Sequence, residues 1–218
     1  LLTLSLSLLL AGLAHAEIIR DGRSFEGTAI LGPEDGPELQ AYYLNNDRTL
    51  SADTLYTLRG QVYVEAGATL TIPAGTLIQG EPAGTVVVKR DGQIFCEGTA
   101  DNPVVFTSNR APGNRATGDW GGVVVLGNAP INQDPEDINI EGGIIEGQFG
   151  GDDPLDSSGR IVYTRIEFPG YRFEEGNEIN GLTMGGVGAG TEIHHVQVSY
   201  ANDDSFEWFG GTVDGHHL

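Results

Sequence analysis

Between Gly67 and Ser108 the sequence GATLTIPAGTLIQGEPAGTVVVKRDGQIFCEGTADNPVVFTS carries one strand-and-turn pattern twice. Leu70, Ile72 and Gly75-Thr76 make the first copy, and Ile94, Cys96 and Gly98-Thr99 the second. The apolar pairs recur at an offset of 24 and the Gly-Thr pairs at an offset of 23. A unit of about 20 to 30 residues made of short strands cannot bury its inward side chains alone, so it must stack on a copy of itself. Apolar residues alternate in each candidate strand (Leu70, Ile72; Ile94, Cys96; Val104, Phe106), with Gly, Asn, Asp and Pro at the corners. Half-buried strands joined by tight turns require that arrangement. With 33 Gly and 10 Pro among 218 residues, no window beyond the N-terminus suits an amphipathic helix. The pattern predicts an all-β solenoid, a single-stranded parallel β-helix.

The chain divides into three parts. Leu1 to Leu13 is almost wholly apolar and runs into Ala14-His15-Ala16, the small-x-small pattern that precedes signal-peptidase cleavage, so residues 1–16 read as a signal peptide and Glu17 as the mature N-terminus. The run is shorter than the roughly 20 residues that a bilayer span needs, so no transmembrane segment is expected in the mature, secreted or cell-surface chain. Residues 17–60, with Gly32-Pro33, Gly36-Pro37 and Asn45-Asn46-Asp47, read as an N-terminal cap, and residues 61–218 as coils. Within the coils, Trp120 to Leu126 is a near-continuous apolar strand, and about 132–159 is a polar, acidic lateral loop. Coils resume at Arg160, with Val196 and Val198 expected in the places of Ile166 and Phe168, at an offset of 30. The only Met is Met184, and no polar cap follows Val213, so both ends are expected to be cut from a longer chain.

The net charge of −20, from 31 acids against 11 bases, argues against nucleic acid as a partner, because phosphate binding needs a basic face. It also disfavours anionic lipid and unassisted binding of polyanionic sugars. Cys96 is the single cysteine. Its place in the apolar alternation makes it a buried thiol rather than a redox or catalytic group.

Three groups of residues are candidates for function. Asp203, Asp204 and Glu207 lie together on a turn and the following strand, and hard oxygen donors in that setting suit Ca²⁺, although the spacing matches no defined calcium loop. A solvated acidic corner is the alternative. His194-His195 recurs as His216-His217 at an offset of 22. If that is one coil, alternation turns His194 and His216 inward and leaves His195 and His217 outside as a two-His transition-metal site, or as a plain side-chain ladder. Trp120, Tyr200 and Trp208 would stack on sugar rings if they point out of the coil. Both tryptophans precede glycine-rich corners, where packing is the competing role.

VEAGATLTIPAGTLIQG (64–80), GTADNPVVFTSN (98–109), GDWGGVVVLGNAPIN (118–132) and NGLTMGGVGAGTEIHHVQVSYANDDSFEWFGGTV (180–213) resemble secreted bacterial right-handed parallel β-helix proteins of the pectate-lyase-like superfold. The resemblance implies a right-handed coil and an exported or cell-surface protein. The leader is followed by Ala16-Glu17 rather than by the Cys of a lipoprotein. Two functions follow as expectations. One is a non-catalytic scaffold or adhesin-like module that binds carbohydrate or cell-surface components. The other is a polysaccharide lyase or glycoside hydrolase working in the wall groove. A hydrolase needs two carboxylates about 5 to 9.5 Å apart, which Asp203, Asp204, Glu207, Glu141, Glu146, Asp152 or Asp153 could supply. A lyase needs a base, and the chain has one lysine, Lys89, and ten arginines. No nucleophile elbow, HExxH or phosphate loop is present.

Overall fold

Ile94 lies beside Leu70, and Cys96 beside Ile72, in adjacent parallel strands, as the repeat requires. The structure, a computed structural model, describes residues 18–35 and 40–218, so the expected signal peptide lies outside the described residues. β1 (Ile18–Arg20) and β2 (Arg23–Phe25) form an antiparallel hairpin, and β3 (Gly27–Leu31) begins the parallel array. The first coil is β4 (Ala41–Leu44), β5 (Arg48–Thr49) and β6 (Thr54–Leu58). The second is β7 (Gln61–Val64), β8 (Thr69–Pro73) and β9 (Leu77–Gly80), and the third β10 (Thr85–Val88), β11 (Gln93–Glu97) and β12 (Val104–Ser108). The fourth has β13 (Val123–Leu126) and the long β14 (Gly159–Glu167), followed by an antiparallel hairpin of β15 (Arg172–Glu174) and β16 (Asn177–Glu178). β17 (Leu182–Gly185) and β18 (Glu192–Ser199) make the fifth coil, and β19 (Phe206–Phe209) and β20 (Gly215–His216) the sixth.

The strands stack into three faces of a right-handed parallel β-helix. The first face is β4, β7, β10, β13, β17 and β19. The second holds β5, β8, β11 and β20, and the third β3, β6, β9 and β12. β14 and β18 belong to both of these faces. Gly159–Val162 pairs with β11 while Thr164–Ile166 pairs with β12, and β18 follows β14 along its whole length. The bend between the halves is a single left-handed residue, Tyr163 (φ +44°) in β14 and His195 (φ +53°) in β18. Non-glycine residues rarely adopt that conformation. Here the Tyr163 and His195 rings stack, with centroids 4.4 Å apart and 18° between planes. In the third coil the same corner is instead the loop 98–103.

Inward side chains form continuous columns, among them Ile72, Cys96 and Ile161, and Val64, Val88, Val125 and Met184, all fully or almost fully buried. Burial of each large aliphatic side chain contributes roughly 1.5–3 kcal/mol. Cys96 belongs to this core, and burial pushes its thiol up to about 12, so it remains a protonated, unreactive filler.

The structure differs from the sequence reading at five places. Coils begin at Ala41 rather than at residue 61, because the turn-rich Asn45-Asn46-Asp47 and Ser51-Ala52-Asp53 hide the short alternations on either side. Gly98-Thr99 does not sit over Gly75-Thr76: the Thr76 carbonyl accepts a bond from Val105, and the Gly75 N–H donates to Asn102, since the third-coil corner is longer. Val198 pairs with Ile166, and Val196 with Thr164, an offset of 32 rather than 30. Phe168, with φ +63°, is a half-buried corner residue stacked on Tyr200 rather than a core side chain. His194 and His216 do not turn inward. The bend at His195 consumes one residue, so Ile193 and Val196 take the inward places and both His194 and His216 lie on the outer side.

Candidate functional site

The outer wall of the first face is covered by the chain itself. Outward residues Tyr63, Val87, Val124 and Leu126 pack with Ile140, Ile144 and Phe149 from the 127–158 connection and with Ile179 beyond the β15–β16 hairpin. Polar contacts pin the loop in register. Tyr63 Oη donates to Gln61 Oε1 at 2.5 Å, Gln61 Nε2 donates to the Gly143 carbonyl at 2.8 Å, and Lys89 Nζ bridges Glu65 (3.0 Å) and Glu146 (2.7 Å). Tyr43 Oη also donates to Glu146 at 2.7 Å. The hydrogen bond from Lys89, and then that from Tyr43, holds the Glu146 carboxyl below its ordinary range. A depressed acid stabilises the fold above the unfolded carboxylate range and loses that contribution as pH falls through the folded value. Lys89→Met should therefore cost about 1 kcal/mol at neutral pH for this part-exposed network. It should also flatten the acid limb of a urea midpoint-versus-pH curve, and an unchanged limb would show that the bridge does not hold the loop.

Where loop and wall meet, three side chains converge that are far apart in sequence. Asn180, buried immediately before β17, donates from Nδ2 to Glu141 Oε1 of the loop at 3.2 Å and to Glu207 Oε2 on β19. Its own Oδ1 is buried without a hydrogen-bond partner. Glu207 faces outward because Phe206 and Trp208 take the inward places beside Leu182 and Met184. Burial raises the Glu207 pKa to about 7, and hydrogen bonding and charge repulsion from Glu141 add to the effect. The Asn180 bond opposes it and Asp204 adds to it. The Glu207 carboxyl is in hydrogen-bond contact with that of Glu141. That is closer than the carboxyl spacing of either class of glycosidase.

The residues singled out in the sequence are distributed differently. Asp203 and Asp204 are exposed in the turn before β19 while Glu207 points to Glu141, so the three carboxylates do not converge. Among the described residues no three His, Cys, Asp or Glu side chains form a metal cluster. Trp120 is fully buried and cannot stack on a sugar: its Nε1 donates to the Glu167 carbonyl at 2.7 Å, and its ring lies parallel to Phe106. The exposure of Trp208 is 42%, but the indole shares the inward side of β19 with Phe206, which packs on the core. Tyr200 is 68% exposed and stacks on Phe168 at 4.9 Å, and Trp208 lines a pocket of about 230 Å³ with Ile131, Phe149 and Phe209. His195 and His217 do stack, with centroids 4.4 Å apart. Burial, and then the neighbouring histidines, hold the His195 pKa below its ordinary value.

A second open site was not legible in the sequence. On the third face, the hairpin residues Ile18 and Phe25 cover Leu55, Leu77 and Val105. Beside them is a cleft of about 480 Å³ lined by Asp21, Arg23, Thr107, Arg115, Arg165 and Glu167. Arg115 pairs with Asp21 at 2.7 Å, Arg165 pairs with Glu167, and Arg23 Nη1 donates to the Gly75 carbonyl at 2.9 Å. Three guanidinium groups thus gather on one surface of a strongly acidic chain. They come from β2, the 109–118 turn and β14, and no local motif links them. Among the described residues no helix is long and apolar enough to cross a membrane.

No curated relative and no solved structure matches the chain. The family model described as a pectate-lyase like beta helix domain matches residues 42–218, from the first strand of the first coil to the end of the chain. Stacked parallel coils, continuous apolar columns and that match over most of the length agree, and the chain belongs to the pectate-lyase-like β-helix family.

Proposed function

We propose that this chain is an exported scaffold or adhesin-like module that binds carbohydrate or cell-surface components without turning them over. The observation that carries this reading is the covered wall. Loop 127–158 covers Tyr63, Val87, Val124 and Leu126 on the outer surface of the first face with its own apolar side chains, so a polymer cannot lie along those strands, and what is open beside them is a pocket of about 230 Å³ at Ile131, Phe149 and Trp208. The contact between Glu141 and Glu207 supports the same conclusion, because these carboxyls touch instead of standing apart across a substrate. Export is supported by the apolar run Leu1 to Leu13 and the Ala14-His15-Ala16 that follows it. The Arg23–Arg115–Arg165 cleft suits a polar ligand, since guanidinium and carboxylate groups bond hydroxyl and carboxyl oxygens in fixed directions.

A polysaccharide panel tests the proposal, scored both for retention in affinity electrophoresis and for release of reducing or unsaturated sugar. Retention without product is expected, with Arg165→Ala and Arg23→Ala weakening it several-fold. Product from any glycan would overturn the non-catalytic reading and favour an enzyme working at the third-face cleft.

A further inference from the structure

His194 and His195 are adjacent on β18, and in a regular strand their side chains would point to opposite sides. The left-handed bend at His195 cancels that alternation, and the two Nδ1 atoms are only 2.9 Å apart. The His195 ring is held between those of Tyr163 and His217, each 4.4 Å away. The His194 ring is held at its far side, with Nε2 2.8 Å from Glu192 Oε1, and Glu192 Oε2 accepts from Arg160 Nε at 2.7 Å. A carboxylate that accepts the Nε2–H of a neutral imidazole leaves Nδ1 with a free lone pair, the arrangement that orients histidine ligands in metalloproteins.

We propose that His194 Nδ1 and His195 Nδ1 form an open two-nitrogen site for a divalent first-row transition ion, Cu(II) foremost, with Glu192 as its positioning carboxylate. Metal–nitrogen bonds of about 2.0–2.1 Å at a right angle put the two nitrogens about 2.9 Å apart, whereas a tetrahedral angle needs about 3.3 Å. The observed separation is that of neighbouring corners of a tetragonal site, the geometry of Cu(II) and Ni(II), and the Irving–Williams order puts Cu(II) ahead. In the metal-free protein one proton lies between the rings. With the ion bound, His195 carries its proton on Nε2 and both Nδ1 lone pairs turn to the metal. The remaining ligands are water, admitted by the adjoining cleft of about 270 Å³ lined by Glu192, His194, Asp214 and His216. This assignment replaces the expected His195–His217 pair. Those rings lie face to face, 31° from parallel, so their nitrogens sit in separate layers and do not aim at a common point.

The test is titration of the chain with Cu(II) in a non-coordinating buffer, followed by calorimetry and electron paramagnetic resonance. The expected result is two equatorial nitrogens in the wild type. His194→Gln and His195→Gln should each weaken binding at least tenfold, Glu192→Gln about tenfold, and His217→Gln less than threefold. A wild type that binds no better than the His194→Gln/His195→Gln double variant would overturn the site, as would a His217→Gln loss equal to that of His195→Gln. Should any variant fail to fold, ring-nitrogen chemical shifts of the wild-type protein titrated with diamagnetic Zn(II) decide the matter. Coordination shifts at the Nδ1 atoms of His194 and His195 support the site, and coordination shifts at a His217 nitrogen instead exclude it.

Discussion

Replacing Trp120 by Ala is expected to cost about 3–5 kcal/mol, because a fully buried aromatic is removed from between two coils. Trp120 precedes β13 and leans back over the second coil. A Cβ built on Gly80 would lie 2.6 Å from Trp120 Cβ, so the indole occupies space that only glycine leaves free. Its ring is parallel to that of Phe106, 6.1 Å away, and its N–H satisfies the Glu167 carbonyl of β14. One side chain therefore ties the second, third and fourth coils together. For a chain of this size the loss corresponds to a fall in melting temperature of roughly 6–20 °C. Trp120→Phe keeps the aromatic packing but leaves the carbonyl unpaired, and should cost about 1–2 kcal/mol. A loss below about 1 kcal/mol for Trp120→Ala, well short of the cost of emptying an aromatic site, would sink the packing role and return the indole to the ligand-binding candidates.

Glu207→Gln is expected to stabilise the protein at pH 8 by about 1–2 kcal/mol and to change little at pH 5, because a raised carboxyl pKa costs stability only once the group must ionise. The Glu207 carboxyl, at about 7 in the folded chain against an ordinary 4.5, binds its proton more tightly when folded. Between those values the native state carries more protons than the unfolded one, so stability falls as pH rises through that window. The full interval corresponds to roughly 3 kcal/mol, and solvent screening at a partly exposed site reduces it to the smaller figure. Glutamine keeps the acceptor for Asn180 and offers Glu141 a permanent donor in place of the Glu207 proton. Chemical denaturation at pH 5, 6, 7 and 8 measures this directly. A variant that tracks the wild type at every pH would show that the fold does not raise the Glu207 carboxyl, and destabilisation at pH 8 would show that the fold favours the Glu207 carboxylate.

The repeat Leu70, Ile72 to Ile94, Cys96 was enough to specify parallel stacking, because side-chain alternation and tight turns are local and each inward residue must find its equivalent one coil away. The run 132–159 reads as a lateral loop because a polar, acidic stretch cannot continue an apolar column, and the connection between β13 and β14 runs over 127–158. The bends at Tyr163 and His195 were not. Nothing in Ile161-Val162-Tyr163-Thr164 or Ile193-His194-His195-Val196 marks the third residue as left-handed, and missing it reversed the expected directions of His194 and His216. The offset is 32 on both sides of the bend, and the bend brought the His194 and His195 nitrogens together.

The candidate sites depended still more on long-range packing. Glu141 and Glu207 are distant in the chain, on opposite sides of β14, and the 127–158 loop brings them together by burying Ile140, Ile144 and Phe149 on the first face. Arg23, Arg115 and Arg165 meet because the N-terminal hairpin covers Leu77 and Val105. The amino-acid sequence by itself determined the solenoid, its all-β character and the core residues of the repeat such as Leu70, Ile72, Ile94 and Cys96, because those follow from side-chain alternation along a strand and from the length of one coil. Only the tertiary structure decided which wall is covered, which carboxyls touch and which imidazoles face each other. Those outcomes depend on how loops pack against the outside of the coil, where no repeat constrains them.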